Sequence, residues 1–183
     1  MKIRIENTDL EYELIYRKVK YARLEIKNGI IRLIMPEGAP DHEKIILKNM
    51  EWIQKKISHN QKQWEEAQKR MINDNRSSEE FQDLVISYME NKLKKMQLKV
   101  NKVRFRPMKS RWGSCSPNGN ISVNTRLQYL PTRLIEYVIF HELAHLVERK
   151  HDKNFWHIIS QEYPEYKEWE DELSLYWLRV KDL

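Results

Sequence analysis

The sequence predicts an α+β protein, and three observations predict it. Two Asn-Gly dipeptides, Asn28-Gly29 and Asn118-Gly119, each lie between arms that alternate apolar and polar residues, the signature of antiparallel hairpins. Longer stretches elsewhere repeat their apolar residues at helical spacing instead. With 40% hydrophobic and 33% charged residues but only 4 Gly and 6 Pro in 183, the composition is that of a helix-rich globular protein, not of a disordered or fibrous chain.

Taken in order, residues 1 to about 37 read as a small antiparallel sheet, with turns at Glu6-Asn7-Thr8-Asp9 and at Asn28-Gly29. Pro40 and Asp41 signal the start of one long helix carrying Ile45, Ile46, Met50, Ile53 and Ile57. "MINDNRSS" then breaks the periodicity. Ser77 and Glu80 form a capping box for a second helix to about Met96, with Phe81, Leu84, Val85, Tyr88, Met89 and Leu93 on its buried side. From Lys99 the period is two, Val103 and Phe105 opposing Arg104 and Arg106, and "RWGSCSPNGNISVN" is a second hairpin whose arm sets Ile121 and Val123 against Ser122 and Asn124. Pro131 opens "TRLIEYVIFHELAHLV", a helix apolar nearly all round and therefore buried. Asp152 caps the helix that follows. These elements group as an N-terminal lobe, residues 1–75, of hairpins plus the long helix, and a second region, 76–183, in which the buried helix follows a sheet.

Several function classes are excluded or narrowed at this stage. The single cysteine, Cys115, rules out an internal disulfide and fits a reducing compartment; it reads as a small packed group. No apolar run approaches the ~20 residues that span a bilayer, and the first residues alternate like a strand, so a cytoplasmic location with no membrane partner is expected. Net charge is +6, unevenly spread: between Glu90 and Glu136 there is no acidic residue but eleven Lys or Arg. The basic segment 92–111 makes a local positive field suited to nucleic acid, nucleotides or acidic peptides, unless the acidic stretch Glu162–Glu172 faces it.

The chemistry concentrates in "HELAHLVERKH", which holds three of the six histidines. On a helix, His141 and His145 are about 40° apart around the axis and about 6 Å along it, so their imidazoles can converge on one ion. Glu142 projects beside that ion, where a carboxylate can take the proton of an attacking water. His151, six residues after His145, is the leading third ligand; Glu162, Glu165 and Glu168 of the following helix are the rivals. The spacing is that of metzincins, but Glu148 replaces the glycine of their turn and no methionine follows Met108, so a Met-turn is impossible. Trp112, Phe155 and Trp156 read as core packing, His157 as structural, and His42 and His59 carry no signal.

"SRWGSCSPNGNISVNTRLQYLP", "IEYVIFHELAHL" and "HDKNFW", in that order and at close spacing, resemble the YgjP-like metallopeptidase family of zincin-like metal-dependent hydrolases, distantly akin to SprT-like proteins. The resemblance covers about Arg104 to Leu173. It implies an α+β zincin-like fold, a zinc ion (or another divalent metal) on His141, His145 and His151, and Glu142 as catalytic base. The expected function is a zinc-dependent metallopeptidase acting on peptide or protein. Arg104, Arg111, Ser122 and Asn124 are the candidate substrate residues, since the segment Ser110–Asn124 is expected to wall the cleft; Tyr129, Tyr166, Arg111 and Asn124 are candidates for stabilising the oxyanion. Two other readings stay open. One is a metal-dependent nucleotide pyrophosphatase using Arg104, Arg106, Lys109 or Arg111 on the phosphates; the other is a nucleic-acid-associated module with a structural zinc, against which stands Glu142, a carboxylate that a structural site has no use for.

Overall fold

The computed structural model describes residues 1–5, 8–27, 30–39 and 41–183, with the backbone alone at 2–5, 8–10 and 27. The chain divides into two compact units, residues 1–65 and 66–183. The first holds strands β1 (Lys2–Ile5), β2 (Thr8–Arg17), β3 (Arg23–Lys27) and β4 (Ile30–Pro36) in the order β1-β2-β4-β3, followed by helices α1 (His42–Lys48) and α2 (Met50–Gln68). The expected turns at 6–7 and 28–29, and Pro40, lie outside the described residues.

The sheet is mixed where a purely antiparallel one is expected. β1 pairs antiparallel with β2, and β3 with β4, but β2 runs parallel to β4 with Tyr12 opposite Ile31. Alternation says which face a residue occupies and nothing about the direction of its neighbour. Ile31, Leu33, Ile34 and Met35 are all buried, as befits a central strand flanked on both edges. The expected long helix is two helices, interrupted at Asn49. Its side-chain amide donates to the Ile45 carbonyl at 2.8 Å, competing with the backbone ladder in the way that keeps asparagine out of helix interiors. Tyr12, Leu33, Ile46 and Ile53 are among the side chains of this unit's core.

The second unit begins with α3 (Ser78–Met96), where the Ser77 hydroxyl accepts from the Glu80 amide and the Glu80 carboxylate accepts from the Ser77 amide, the capping box read in the sequence. Strands β5 (Lys102–Arg106), β6 (Gly113–Cys115) and β7 (Asn120–Asn124) form a sheet of order β5-β7-β6. β6 and β7 are the predicted hairpin, with Gly119 at φ 70° where a side chain would be strained. β5 runs parallel to β7, so this sheet is mixed too and β6 is left at an edge. A 3-10 turn, Thr125–Tyr129, leads into α4 (Thr132–Ala144), and α5 (Lys153–Glu162) and α6 (Tyr166–Val180) complete the chain.

α4 is buried as its apolar circumference requires: Leu134, Ile135, Tyr137, Val138, Ile139, Phe140, Leu143 and Ala144 all lie in the core with Phe81, Val85 and Met89 of α3 and Ile121 and Val123 of β7. The basic segment is partly consumed inside the fold. Lys92 is buried, bridges to Glu162 and lies over the rings of Tyr88 and Phe140, while Arg133 pairs with Glu172 at 2.6 Å.

Asn124 sets the height of β6. It is fully buried; its amide nitrogen donates to the carbonyls of Met108 (3.0 Å) and Arg111 (2.8 Å), and its oxygen accepts from the amides of Met108 (3.2 Å) and Arg126 (3.1 Å). The crossing from β5 to β6 is thus clasped to the end of β7. Asn124→Ala leaves three backbone groups without this partner, the Arg111 carbonyl and the Met108 and Arg126 amides, while the Met108 carbonyl keeps the Arg126 guanidinium at 2.9 Å; it should lower the unfolding free energy by about 2 to 3 kcal/mol in denaturant titration. A change under half a kilocalorie would show that the clasp carries no weight.

Candidate metal centre

α4 presents His141 and His145 on one face, one turn apart, at its C-terminal end. The helix then tightens, the amides of Leu146, Val147 and Glu148 bonding back to Leu143 and Ala144, and the chain returns to deliver His151. No residue in this turn takes a positive φ. That is why Glu148 can stand where metzincins need glycine: the reversal uses right-handed and extended backbone only.

One ring nitrogen each from His141, His145 and His151 lies within 4.8 Å of the others, the one such donor group of three among the described residues. His141 Nε2 and His151 Nε2 are 2.9 Å apart. An ion with Zn–N bonds of about 2.1 Å holds nitrogens about 3.4 Å apart, so small side-chain rotations adapt the trio. His145 Nδ1 donates to the Glu148 carbonyl at 3.0 Å, which keeps its Nε2 unprotonated. Burial lowers the pKa of both His145 and His151, helped by the neighbouring His141, so neutral donor imidazoles are favoured.

The rings rest on Phe155. Fully buried, it stacks on His145 (4.5 Å between centroids, 24°) and meets His141 and His151 edge-on at 4.9 and 4.7 Å. Asp152 caps α5 as expected, its carboxylate accepting from the amides of Asn154 and Phe155, and so fixes this floor. Trp156 lies beside His151 at 5.8 Å and stacks on Tyr166. His157 is exposed and outside the donor group.

Glu142 is buried, 7% exposed, and its Oε2 has no hydrogen-bond partner. Burial pushes its carboxyl up to about 7, against the lowering pull of His141, Arg111 and the Cys115 backbone amide. An orphaned carboxylate oxygen beside three converging imidazoles fits a site built for a cation and the water it carries. The carboxylate fits only because Gly113 has no side chain: a Cβ there would lie 2.7 Å from both Cγ and Oε1 of Glu142. Neither Gly113 nor Glu170, whose carboxylate approaches His141, is singled out by sequence reasoning. Glu170 lies on the same side of α6 as buried Leu173, three residues on, and that spacing is the signal which separates it from the exposed Glu165 and Glu168.

Of the expected substrate residues, Arg111 lines the cleft together with residues 112–117 and Arg149. Arg104 is exposed on β5, the opposite edge of the sheet from β6, Ser122 pairs with Ser114 from the middle strand, and Asn124 is spent on backbone. None of these three lines the cleft, nor do Tyr129 and Tyr166. Glu162 pairs with Lys92, and Cys115, half-buried with its thiol pKa raised by burial, stands outside the donor group.

Gly113→Ala should therefore push Glu142 aside while sparing the imidazoles. The expected result is a variant with wild-type metal content, stability lower by about 1 to 3 kcal/mol, and little activity; wild-type turnover would show that Glu142 does not need this gap.

Comparison with known proteins places this geometry. No curated protein matches the sequence. Among solved structures, the chain is similar to the crystal structure of the metallopeptidase zymogen abylysin of Pyrococcus abyssi, at 27% identity over 49% of this chain and 90% of that one, TM-score 0.44. It is also similar to that of the zymogen jannalysin of Methanocaldococcus jannaschii, at 21% identity over 52% and 92%, TM-score 0.41. A family profile described as "YgjP-like, metallopeptidase domain" matches residues 65–176, that is 112 of the 183 residues, and takes in the whole donor group and Glu142. The chain belongs to the YgjP-like metallopeptidase family, whose members are metal-dependent hydrolases.

Proposed function

We propose that this chain is a zinc-dependent peptidase in which His141, His145 and His151 hold the ion and Glu142 is the general base. The observation that carries the reading is the convergence of three imidazole nitrogens beside a buried carboxylate with an unpartnered oxygen. A zinc ion there supplies Lewis acidity, which makes a water nucleophilic near neutral pH. The Glu142 carboxylate would take one proton from the attacking water as the water oxygen bonds to the scissile carbonyl carbon, and would return it to the amine nitrogen as the C–N bond breaks.

The cleft wall supports a peptide as substrate. Trp112 accepts from the Asn124 amide and the Ser116 amide donates to Asn120, so by antiparallel alternation the backbone groups of Gly113 and Cys115 point away from β7. The Cys115 amide meets Glu142; the groups of Gly113 and the Cys115 carbonyl are left for an extended substrate strand. A nucleotide reading needs several cations around the phosphates, yet of Arg104, Arg106, Lys109 and Arg111 only Arg111 lines the cleft, and the one other arginine among the cleft's lining residues, Arg149, is held by the Pro117 carbonyl. Of the basic segment 92–111 only Lys92 is engaged within the fold, and its eight exposed cations fall outside any donor group or fold feature that specifies nucleic acid.

His141→Ala, His145→Ala and His151→Ala should each sharply reduce bound zinc in purified protein while His157→Ala does not, as elemental analysis will read; full occupancy in the His151 variant would move the third ligand to an acidic residue. Glu142→Gln should keep near-stoichiometric zinc and lose about two orders of magnitude or more in turnover of casein or short peptides. Unchanged turnover would remove it as the base.

Arg111→Ala should change KM for neutral peptides by only a few-fold, with little salt dependence, and Arg104→Ala should change nothing. Strong salt-sensitive loss of nucleoside triphosphate hydrolysis in the Arg111 variant would favour the nucleotide enzyme instead.

A further inference from the structure

His141 gives Nε2 to the donor group, 2.9 Å from that of His151, which leaves its other nitrogen to be accounted for. Nδ1 lies 3.6 Å from Oε1 of Glu170, and the same oxygen accepts a 2.6 Å hydrogen bond from the Tyr137 hydroxyl. Tyr137 stands one turn before His141 on α4, fully buried, its ring edge-on to Tyr163 (5.2 Å, 88°) and 5.7 Å from that of Trp169. Its hydroxyl is therefore a fixed donor. Glu170 follows Trp169 on α6, and among the described residues no lysine or arginine pairs with it. A half-buried carboxylate without a cation, aimed by a tyrosine at the far edge of a ligand imidazole, has an evident use: an acceptor at Nδ1 fixes the proton there, leaving Nε2 bare and more basic.

We propose that Glu170 is a positioning residue for His141, its carboxylate steered by Tyr137 and holding the imidazole with Nδ1 protonated and Nε2 directed into the donor group. The inference rests on the reading of His141 as a ligand, and it makes the acidic residue contributed by α6 a support of the site. Glu170 stands on the Nδ1 side of the ring and outside the group of three donors. The Glu148 carbonyl already holds His145 in this way through a 3.0 Å hydrogen bond, whereas Glu170, 3.6 Å from Nδ1 of His141, would close to hydrogen-bond length by a small side-chain rotation.

The test compares wild type with Glu170→Ala, Glu170→Gln and Tyr137→Phe, each checked for folding by circular dichroism. Zinc affinity is measured by competition with a chromophoric chelator, and the His141 tautomer by nitrogen-15 NMR of the metal-free protein. Glu170→Ala should bind zinc about 10- to 100-fold more weakly and show mixed tautomers at His141. Glu170→Gln, whose side-chain carbonyl still accepts from Nδ1–H, should recover most of the affinity and a single tautomer, and Tyr137→Phe should fall between wild type and the alanine variant. If the alanine variant does not fold, the glutamine and phenylalanine variants decide by the same two readouts. Unchanged affinity and tautomer in the folded variants would overturn the proposal. So would a glutamine variant as weak as alanine whose zinc X-ray absorption shows one ligand fewer, because Glu170 would then be a ligand. Retention of zinc by His141→Ala is a different failure, that of the ligand reading, and leaves the tautomer of the metal-free protein to judge Glu170.

Discussion

The most demanding constraint in this structure is the burial of a carboxylate, Glu142, in the last turn of a largely apolar helix. Removing such a group from water without full hydrogen bonding is costly, and only the Cys115 amide and the charges of His141 and Arg111 offset the cost. The surroundings are arranged to make the placement possible. Gly113 leaves room for it, the β6–β7 hairpin brings Gly113 to that spot, and the Asn124 clasp fixes the hairpin's approach. A carboxylate kept under such strain of solvation is primed to take up a proton when one is offered.

Much of this was legible in the sequence wherever the signal is local. The i, i+4 pair of histidines, the Ser77–Glu80 capping box, the Asp152 cap and the Asn118-Gly119 turn each depend on residues a few positions apart, and each forms as read. Pairing direction is another matter. The parallel β2–β4 and β5–β7 ladders join segments whose alternation is equally compatible with either direction. Arg104 and Arg111 look alike in the sequence, both basic and both near a strand, yet the sheet order puts them at opposite edges. Glu170 was hidden for the same reason: its relation to His141 spans 29 residues (170 − 141) and exists only once α6 has packed.

The basic stretch is divided by the fold between surface and interior. Three of its eleven cations are drawn into contacts within the fold, while the eight between Lys94 and Arg111 stay exposed. Lys92 is drawn inward to Glu162 across two aromatic faces, Arg126 ties the Met108 carbonyl to that of Leu183, and Arg133 joins Glu172 over Trp169. Each of these links helices or loops that adjoin α4, so charge that could have advertised a partner instead braces the helix bearing the site.

Phe155 has a consequence for how the centre exchanges its ion. Because a rigid ring already packs against all three imidazoles, stacked on His145 and edge-on to His141 and His151, they would lose little freedom on the proposed coordination, and the entropy of assembling the trio is settled during folding. The three rings are in this sense a preformed socket. Under the proposed ligand reading, loading and losing an ion would then involve three side chains and no refolding step.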